Sequence, residues 1–340
     1  MFPFLDVVKL LSVGTLSTTL LKSVFQYQVH SSTETTKDFG KAWFMTLMMF
    51  IGMSFAIFFE TKNERLLQKQ VKSSRLWFIF PTVFDLGATV TSSLALANSS
   101  VPASLYQLLG ASLLVFTTIN ARLFLSRKQK VHQWIAVFLM IFALTCIGVA
   151  SQLDTPTEES RDLLLGIILL LVAQEFWSLQ FVVEEHLLQK LDATPTRVVF
   201  YEGVFGSSLM VSTFLPALQL LSGPDSGSQE NSIETLQLLV LNPVLIVLIV
   251  LFIVVVLFYN IYGQKITQKL SSVHRTVIES LRSLGVWMVG LALYWVSRGK
   301  FGESWEEHSW LKGVGFVLLL VSSLVYNSAP GFKLKGLYYD

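Results

Sequence analysis

Apolar residues run along this chain in long blocks separated by short polar breaks. A helix crossing a hydrocarbon core needs about 20 mostly apolar residues. Ten blocks meet that length, roughly 7–28, 40–59, 77–97, 102–125, 133–150, 163–185, 197–221, 241–264, 273–296 and 310–328. Several breaks hold only a few residues, so neighbouring helices pair as antiparallel hairpins. The longest breaks are 61–74 and 222–234. The second carries Gly223, Pro224 and Gly227 among polar residues and reads as a flexible loop. Between the third and fourth blocks, Asn98, Ser99, Ser100 and Val101 lead into Pro102, which suits the first turn of a helix. Asn98-Ser99-Ser100 matches a glycosylation sequon, but so short a loop holds it against the bilayer. The first block has no basic stretch before it and no small-residue cleavage site, so it reads as a retained span. The chain ends Leu337-Tyr338-Tyr339-Asp340, without a retrieval signal of the Lys-Asp-Glu-Leu type.

Charges sort by side once ten spans are drawn. One side collects Lys9, Lys62, Arg65, Lys69, Lys72, Arg75, Arg127, Lys128, Lys130, Lys190, Lys265, Lys269, Lys333 and Lys335. The other holds Lys37, Lys41, Arg161, Arg298 and Lys300, with most of the loop acids, including Asp154, Glu158, Asp225, Glu230, Glu234 and Glu303. Basic loops stay cytosolic, so both termini are expected there. An odd number of spans would scatter the basic loops over both faces.

Composition narrows the class. Apolar residues are 52% of the chain, charged residues 14%, and the mean hydropathy is +0.58. A soluble chain carries about 25% charged residues. A soluble enzyme, a disordered tail and a nucleic-acid binder are thereby excluded, and the net charge of +2 implies no polyanionic partner. A lone cysteine, Cys146, excludes an internal disulfide and a thiolate metal cage. No zinc-type His pair, nucleophilic triad or phosphate-cradling loop is readable from spacing, so the expectation is a non-enzyme with no cofactor and no direct ATP drive.

The two halves share a pattern. Ser99-Ser100-Val101 and Ser271-Ser272-Val273 head two segments that align without a gap, placing Gln107 opposite Glu279 and Lys128 opposite Lys300. His132-x-Trp134 then opens the fifth block, and His308-x-Trp310 opens the tenth. Two consecutive helix pairs match in the same order. Five helices per half is odd, so the halves, 1–155 and 156–340, enter the membrane with opposite topology. Inverted repeats of this kind build many secondary transporters, with the solute held near the midplane.

Polar residues inside the blocks are the candidate site. An ionisable group at the bilayer centre costs about 2.5–3.5 kcal/mol on insertion scales, so it needs a partner, a wet cavity or a role. Asp85 lies ten residues past Arg75, roughly 15 Å along a helix, and is expected to face a cavity or to serve a buried hydroxyl or helix-end amide. Gln107 and Glu279 face that cavity from opposite sides if the repeat holds. Glu279 also has local ion-pair partners at helical spacing in Arg282 and Arg275. Lys22 reads as deep in the first span, set either toward an anionic group or Asp85 or snorkelling to the far interface. Glu175, beside Gln174, is a further cavity candidate. Glu184, Glu185, His186 and Arg197 read as one structural cluster at a hairpin, and Glu202 as a partner for Arg197 or a neighbouring helix. Gly203 with Gly206 reads as a close helix contact.

Several stretches together resemble a known family. They are Gly14-Thr15-Leu16-Ser17-Thr18, Phe84-Asp85, Ser104-Leu105-Tyr106-Gln107 with Arg127, Glu184-Glu185, Pro195-x-Arg197, Glu202-Gly203-x-Phe205-Gly206, Asn260-x-x-Gly263, the run from Arg275 through Glu279 and Arg282 to Trp287, and Tyr326-Asn327. The chain resembles the drug/metabolite transporter superfamily, within it the F branch of the solute carrier 35 (nucleotide-sugar-transporter-like) family, and chloroquine-resistance-transporter-like proteins. Glu279 departs from the branch, where Asp is expected. The resemblance implies an all-α integral membrane fold of ten transmembrane helices in an intracellular membrane such as Golgi, lysosome or vacuole, or mitochondrion. It assigns no solute. The expected function is a secondary transporter or exchanger of a small polar organic solute, such as an amino acid or peptide, by alternating access. Two alternatives stay open: a transport-inactive membrane subunit with protein partners in a larger complex, and a nucleotide-sugar antiporter.

Overall fold

The computed structural model describes residues 4–30, 36–68, 75–97, 109–110, 112–154, 163–223, 225, 227–299 and 304–326. Where they are described, the apolar blocks are helices, and the fold is an all-α integral membrane fold. In chain order, α1 spans Phe4–Phe25, and two short strands follow, β1 (Gln28–His30) and β2 (Thr36–Asp38). These pair antiparallel, with Val29 opposite Lys37. Next come α2 (Ala42–Ser54), tightening into a 3-10 turn at Phe55–Phe59, α3 (Lys62–Gln68), and a 3-10 turn at Arg75–Phe78 leading into α4 (Ile79–Ala97). Then follow α5 (Ser112–Leu125), α6 (Val131–Asp154), α7 (Leu163–Gln189) and α8 (Pro195–Leu209), which passes through a π turn at Met210–Phe214 into α9 (Leu215–Leu220). The remainder is α10 (Ser232–Leu241), α11 (Pro243–Lys269), α12 (Ser272–Val296) and α13 (Ser309–Tyr326). The tight break expected at 98–102 lies outside the described residues.

Eight helical segments among the described residues are long and apolar enough to cross a membrane: Phe4–Phe25, Ala42–Phe59, Leu76–Ala95, Leu165–Gln189, Pro195–Leu220, Pro243–Lys269, Ser272–Val296 and Ser309–Tyr326. Ser112–Leu125, Val131–Ile147 and Ser232–Leu241 are apolar but shorter. Their outer faces are greasy. On α11, Val244, Ile246, Val247, Val250, Leu251 and Val254 are all exposed. That pattern suits contact with lipid and not with water.

The described chain forms two compact units. The first comprises 1–82, 191–265 and 285–304; the second comprises 83–190, 266–284 and 305–340. Each draws helices from both sides of residue 155. In the first unit α2 packs on α8. A side-chain carbon at Gly203 would lie 2.2 Å from the Ser54 amide, and one at Gly206 would lie 2.3 Å from the Phe50 ring. Only glycine admits this approach, as the paired glycines suggested. The π turn sits just before Pro216, whose ring would strike the carbonyl four residues back in a regular helix. Widening that turn relieves the clash. In the second unit α6 packs along α13, and α5 packs on α7. Gly315 of α13 sits against Ala143 and Ile147 of α6.

The 222–234 break is tied down and not loose. Lys41 occupies the N-cap of α2 and offers no side-chain cap of its own. Glu230 supplies it from the far segment, accepting from the Trp43 amide at 2.8 Å and the Phe44 amide at 2.6 Å. A carboxylate there also meets the positive end of the helix dipole. The Lys41 ammonium, itself buried, bonds Asp225 and Glu234. Asp225 accepts from the Asn231 amide at 2.6 Å, and Asn231 caps α10 by accepting from the Glu234 amide at 3.0 Å. Burial pushes the Glu230 carboxyl up to about 7; the two amides and Lys41 pull it down, and Asp225 adds to the rise.

Two outcomes follow from this packing. Replacing Gly203 by Ala should destabilise the protein by about 1–3 kcal/mol through overpacking, read as a lower melting temperature in detergent, whereas Ala at Gly40, which has open space, should do far less. For Glu230, the folded state binds a proton more tightly than the unfolded chain between its ordinary pKa of 4.5 and about 7. Stability should therefore rise as pH falls through that window and fall as pH climbs. Thermal denaturation from pH 8 to 4.5 should show a smaller pH dependence for Glu230→Gln, whose amide oxygen still accepts from the helix end.

Candidate functional site

Charge buried within apolar helices concentrates in the second unit, along α7. Residues four and seven apart on a helix share a face, and Gln174, Ser178 and Glu185 form such a row, all buried. Arg275 of α12 lies at the centre of this region. Its guanidinium donates to Glu184 at 2.7 Å and to Glu279, one turn along its own helix, at 2.7 Å. Phe181 lies face-on to it, 4.2 Å from the ring centre. The Arg275 side chain is only 3% exposed and Glu184 1%. Removing two ions from water costs several kcal/mol each, recovered only with close pairing and further hydrogen bonds. Here one cation is shared between two carboxylates, and Gln180 donates to Glu184 at 3.0 Å.

Glu185 faces a different partner set. Arg127, just beyond α5, bonds it, and both the amide and hydroxyl of Ser272 donate to it, the amide at 2.7 Å. Arg127 also reaches Gln189, whose amide bonds the Thr267 carbonyl at 2.7 Å. Glu185 thus ties the start of α12 to the end of α5. The expected single cluster of Glu184, Glu185 and Arg197 is therefore split. Arg197 pairs with Glu60 at 2.6 Å, and Arg65 reaches the same carboxylate at 3.5 Å. Arg197 is thus committed to Glu60 and not to Glu202, because Glu60 closes the 3-10 turn beside the start of α8.

Asp85 lies mid-way along α4 and is half-buried. Its hydrogen-bond donor among the described residues is the Trp177 indole, at 3.3 Å, and Glu184 and Arg275 lie within electrostatic range. A carboxylate offers about four lone-pair sites, so Asp85 retains spare accepting capacity. Glu175 is engaged differently: the Asn120 amide donates to it at 2.8 Å and to Ser178 at 2.8 Å. Glu279 is held by Arg275, one of its two local candidates. Gln107 lies outside the described residues.

Lys22 stands in the first unit. It is in the last turn of α1 and not deep in a span, because the helix ends at Phe25 and turns into β1. It lines a cleft of about 220 Å³ with Thr19, Ser23 and Phe25 from its own helix, Gln26 just beyond it, and Val286, Gly290 and Leu293 from α12. The α1 wall is mostly polar, with Phe25 among its residues, and the α12 wall is apolar. The Thr19 hydroxyl is buried there with no partner among the described residues.

Sequence reasoning missed the partners more than the centres. Trp177, Asn120 and Glu60 were not singled out, and no local spacing marks them. Lys41 had a signal: it is one of few cations on an acidic side, and it is the one buried among those acids.

Residues 4–223 match the family described as PUNUT, purine nucleobase transmembrane transport. Solute carrier family 35 member F6 of Homo sapiens is 29% identical over 272 residues, 78% of this chain and 70% of that one. The Mus musculus protein of the same name is 27% identical, covering 77% and 68%. An uncharacterized protein of Schizosaccharomyces pombe is 23% identical, covering 76% of each chain. A solved crystal structure superposes over 94% of both chains with a TM-score of 0.57 at 11% identity, a likeness of fold alone. With a family match over most of its length, solute-carrier relatives and, among the described residues, eight helices long and apolar enough to cross a membrane, the chain belongs to the purine nucleobase transmembrane transport family and is a multi-pass membrane transporter.

Proposed function

We propose that the protein is a secondary transporter moving a small polar organic solute across an intracellular membrane by alternating access. Ten spanning helices form two inverted repeats, 1–155 and 156–340, with both termini cytosolic. The observation that carries this reading is Asp85, a mid-helix carboxylate with one long hydrogen bond from Trp177. Within electrostatic range, Arg275 and Glu184 are fully engaged. A purely structural acid in hydrocarbon would be expected to be saturated, as Glu185 is. Spare acceptor capacity at mid-span suits a solute N–H or a proton. The repeat is supported by the packing of α6 on α13, the two helices opened by the His-x-Trp pattern.

The family description makes purine nucleobases the first solutes to test. A nucleobase is flat, small and rich in N–H donors along its edges. An indole beside a carboxylate, as at Trp177 and Asp85, offers an aromatic face and an acceptor together. Amino acids and short peptides are the second class, since their ammonium groups would use the same acceptor. Glu279 contributes through Arg275, and Lys22 lies at the polar wall of its own cleft.

Uptake into proteoliposomes should be saturable for at least one nucleobase or amino acid, and Asp85→Asn should reduce it at least tenfold while leaving the melting temperature near wild type. Equal uptake by Asp85→Asn and wild type would remove Asp85 from the site. Arg275→Met should behave differently. It leaves Glu184 and Glu279 buried without their cation, a loss of about 3–5 kcal/mol, visible as poor recovery or early unfolding in detergent before any transport assay. Glu279→Gln should be milder, since Arg275 keeps Glu184.

A further inference from the structure

A cleft of about 300 Å³ opens in the second unit beside the end of α5. At about 30 Å³ per liquid water, it has room for roughly ten waters. Its wall is made by Arg127, Lys128, Gln129, Gln133, Ser271, His274 and Tyr326. Two of these are cations, none is a carboxylate, and Lys128 is exposed.

The direction of the hydrogen bonds decides what the cleft offers. The Gln133 carbonyl oxygen accepts from the Lys130 amide at 2.9 Å. The Gln129 carbonyl oxygen accepts from the Tyr326 hydroxyl at 3.5 Å. Each glutamine thus turns its oxygen to a donor inside the protein, and their NH₂ groups have no partner among the described residues. Ser271 Oγ accepts from the His274 amide at 3.1 Å and lies 2.7 Å from His274 Nδ1. Arg127 uses Nε on Glu185 and Nη2 on Gln189, so Nη1 remains. Two helix starts, those of α6 and α12, lie beside the cleft and add positive potential. The α5 chain leaves through Ser126, in left-handed backbone at φ 55°, which directs Arg127 and Lys128 away from the helix axis.

We propose that this cleft is a binding site for a phosphate group. A wall with two cations, amide N–H donors and no carboxylate matches an oxyanion and mismatches a cation. Arg127 gives a fixed guanidinium edge and Lys128 a mobile point charge, both suited to phosphoryl oxygens. The same chemistry is presented by free phosphate and by the headgroup of an anionic phospholipid. This inference is separate from the transported solute, since none of the cleft's residues belongs to the proposed transport site.

The test uses the full-length protein. Inorganic phosphate is titrated against protein in neutral detergent, and phosphatidic acid is titrated against protein in phosphatidylcholine nanodiscs, with thermal stabilisation as the readout. Saturable stabilisation by phosphate, weakened at least fivefold in Lys128→Ala, assigns the site to a soluble phosphate. Stabilisation by phosphatidic acid alone, weakened by the same variant, assigns it to a lipid headgroup. Should Lys128→Ala fold poorly, Lys128→Gln keeps most of the stem and removes the charge, and the same weakening is expected. No saturable effect from either ligand, or an effect that neither variant changes, overturns the proposal.

Discussion

A helix in hydrocarbon has no water from which to borrow a hydrogen bond, and the buried polar groups of this protein are arranged around that constraint. Arg275 is its plainest expression. Its charge is tolerable only because Glu184 and Glu279 flank it and Phe181 covers its face. Glu184 is on α7 and Arg275 on α12, so satisfying the ion also fixes one helix against the other. Packing and electrostatics are not separable here, since moving α12 by one turn would part Arg275 from Glu184 and leave that buried carboxylate without its cation.

The constraint recurs at helix starts, where the first amides have no partner within the helix. Neither α2 nor α12 meets this need with its N-cap side chain alone. Glu230 supplies two acceptor contacts to α2, and Glu185 takes the Ser272 amide of α12. In both cases a distant acid is drawn to the positive end of a helix, and a cation attends it: Lys41 beside the first, Arg127 beside the second. A long-range contact thereby replaces the local cap at α2 and adds to the Ser271 cap at α12, which is why loops that read as punctuation are structural joints.

This also explains what was legible from sequence. The apolar blocks coincide with helices because hydropathy is a local property, and Gly203 with Gly206 announced a close contact for the same reason. Partner choice is not local. Glu184 and Arg275 are 91 residues apart, Arg197 and Glu60 are 137 apart, and Glu230 reaches the α2 amides across 186 or more. Spacing rules could nominate Arg275 for Glu279, four residues away, but had no purchase on Glu60. Lys22 reads as deep only while the first block is drawn to residue 28; the helix ends at Phe25, where Gln26 and Gln28 lead into β1.

Saturation then separates buried polar groups that hold the fold from those free to act. Glu185 takes three donors of its own and has little left to offer. Glu175 is held by Asn120, and Glu184 by Arg275 and Gln180. Asp85 has one donor among the described residues, at 3.3 Å, and stands within α4, where its spare lone pairs can take a solute N–H or a proton. The phosphate cleft is the complementary case, with two cations, amide donors and no carboxylate on its wall. An acceptor surplus within a span and a donor surplus beside one select opposite chemistries, so a single chain can hold a transported solute at one place and an anion at another without either site attracting the other's ligand.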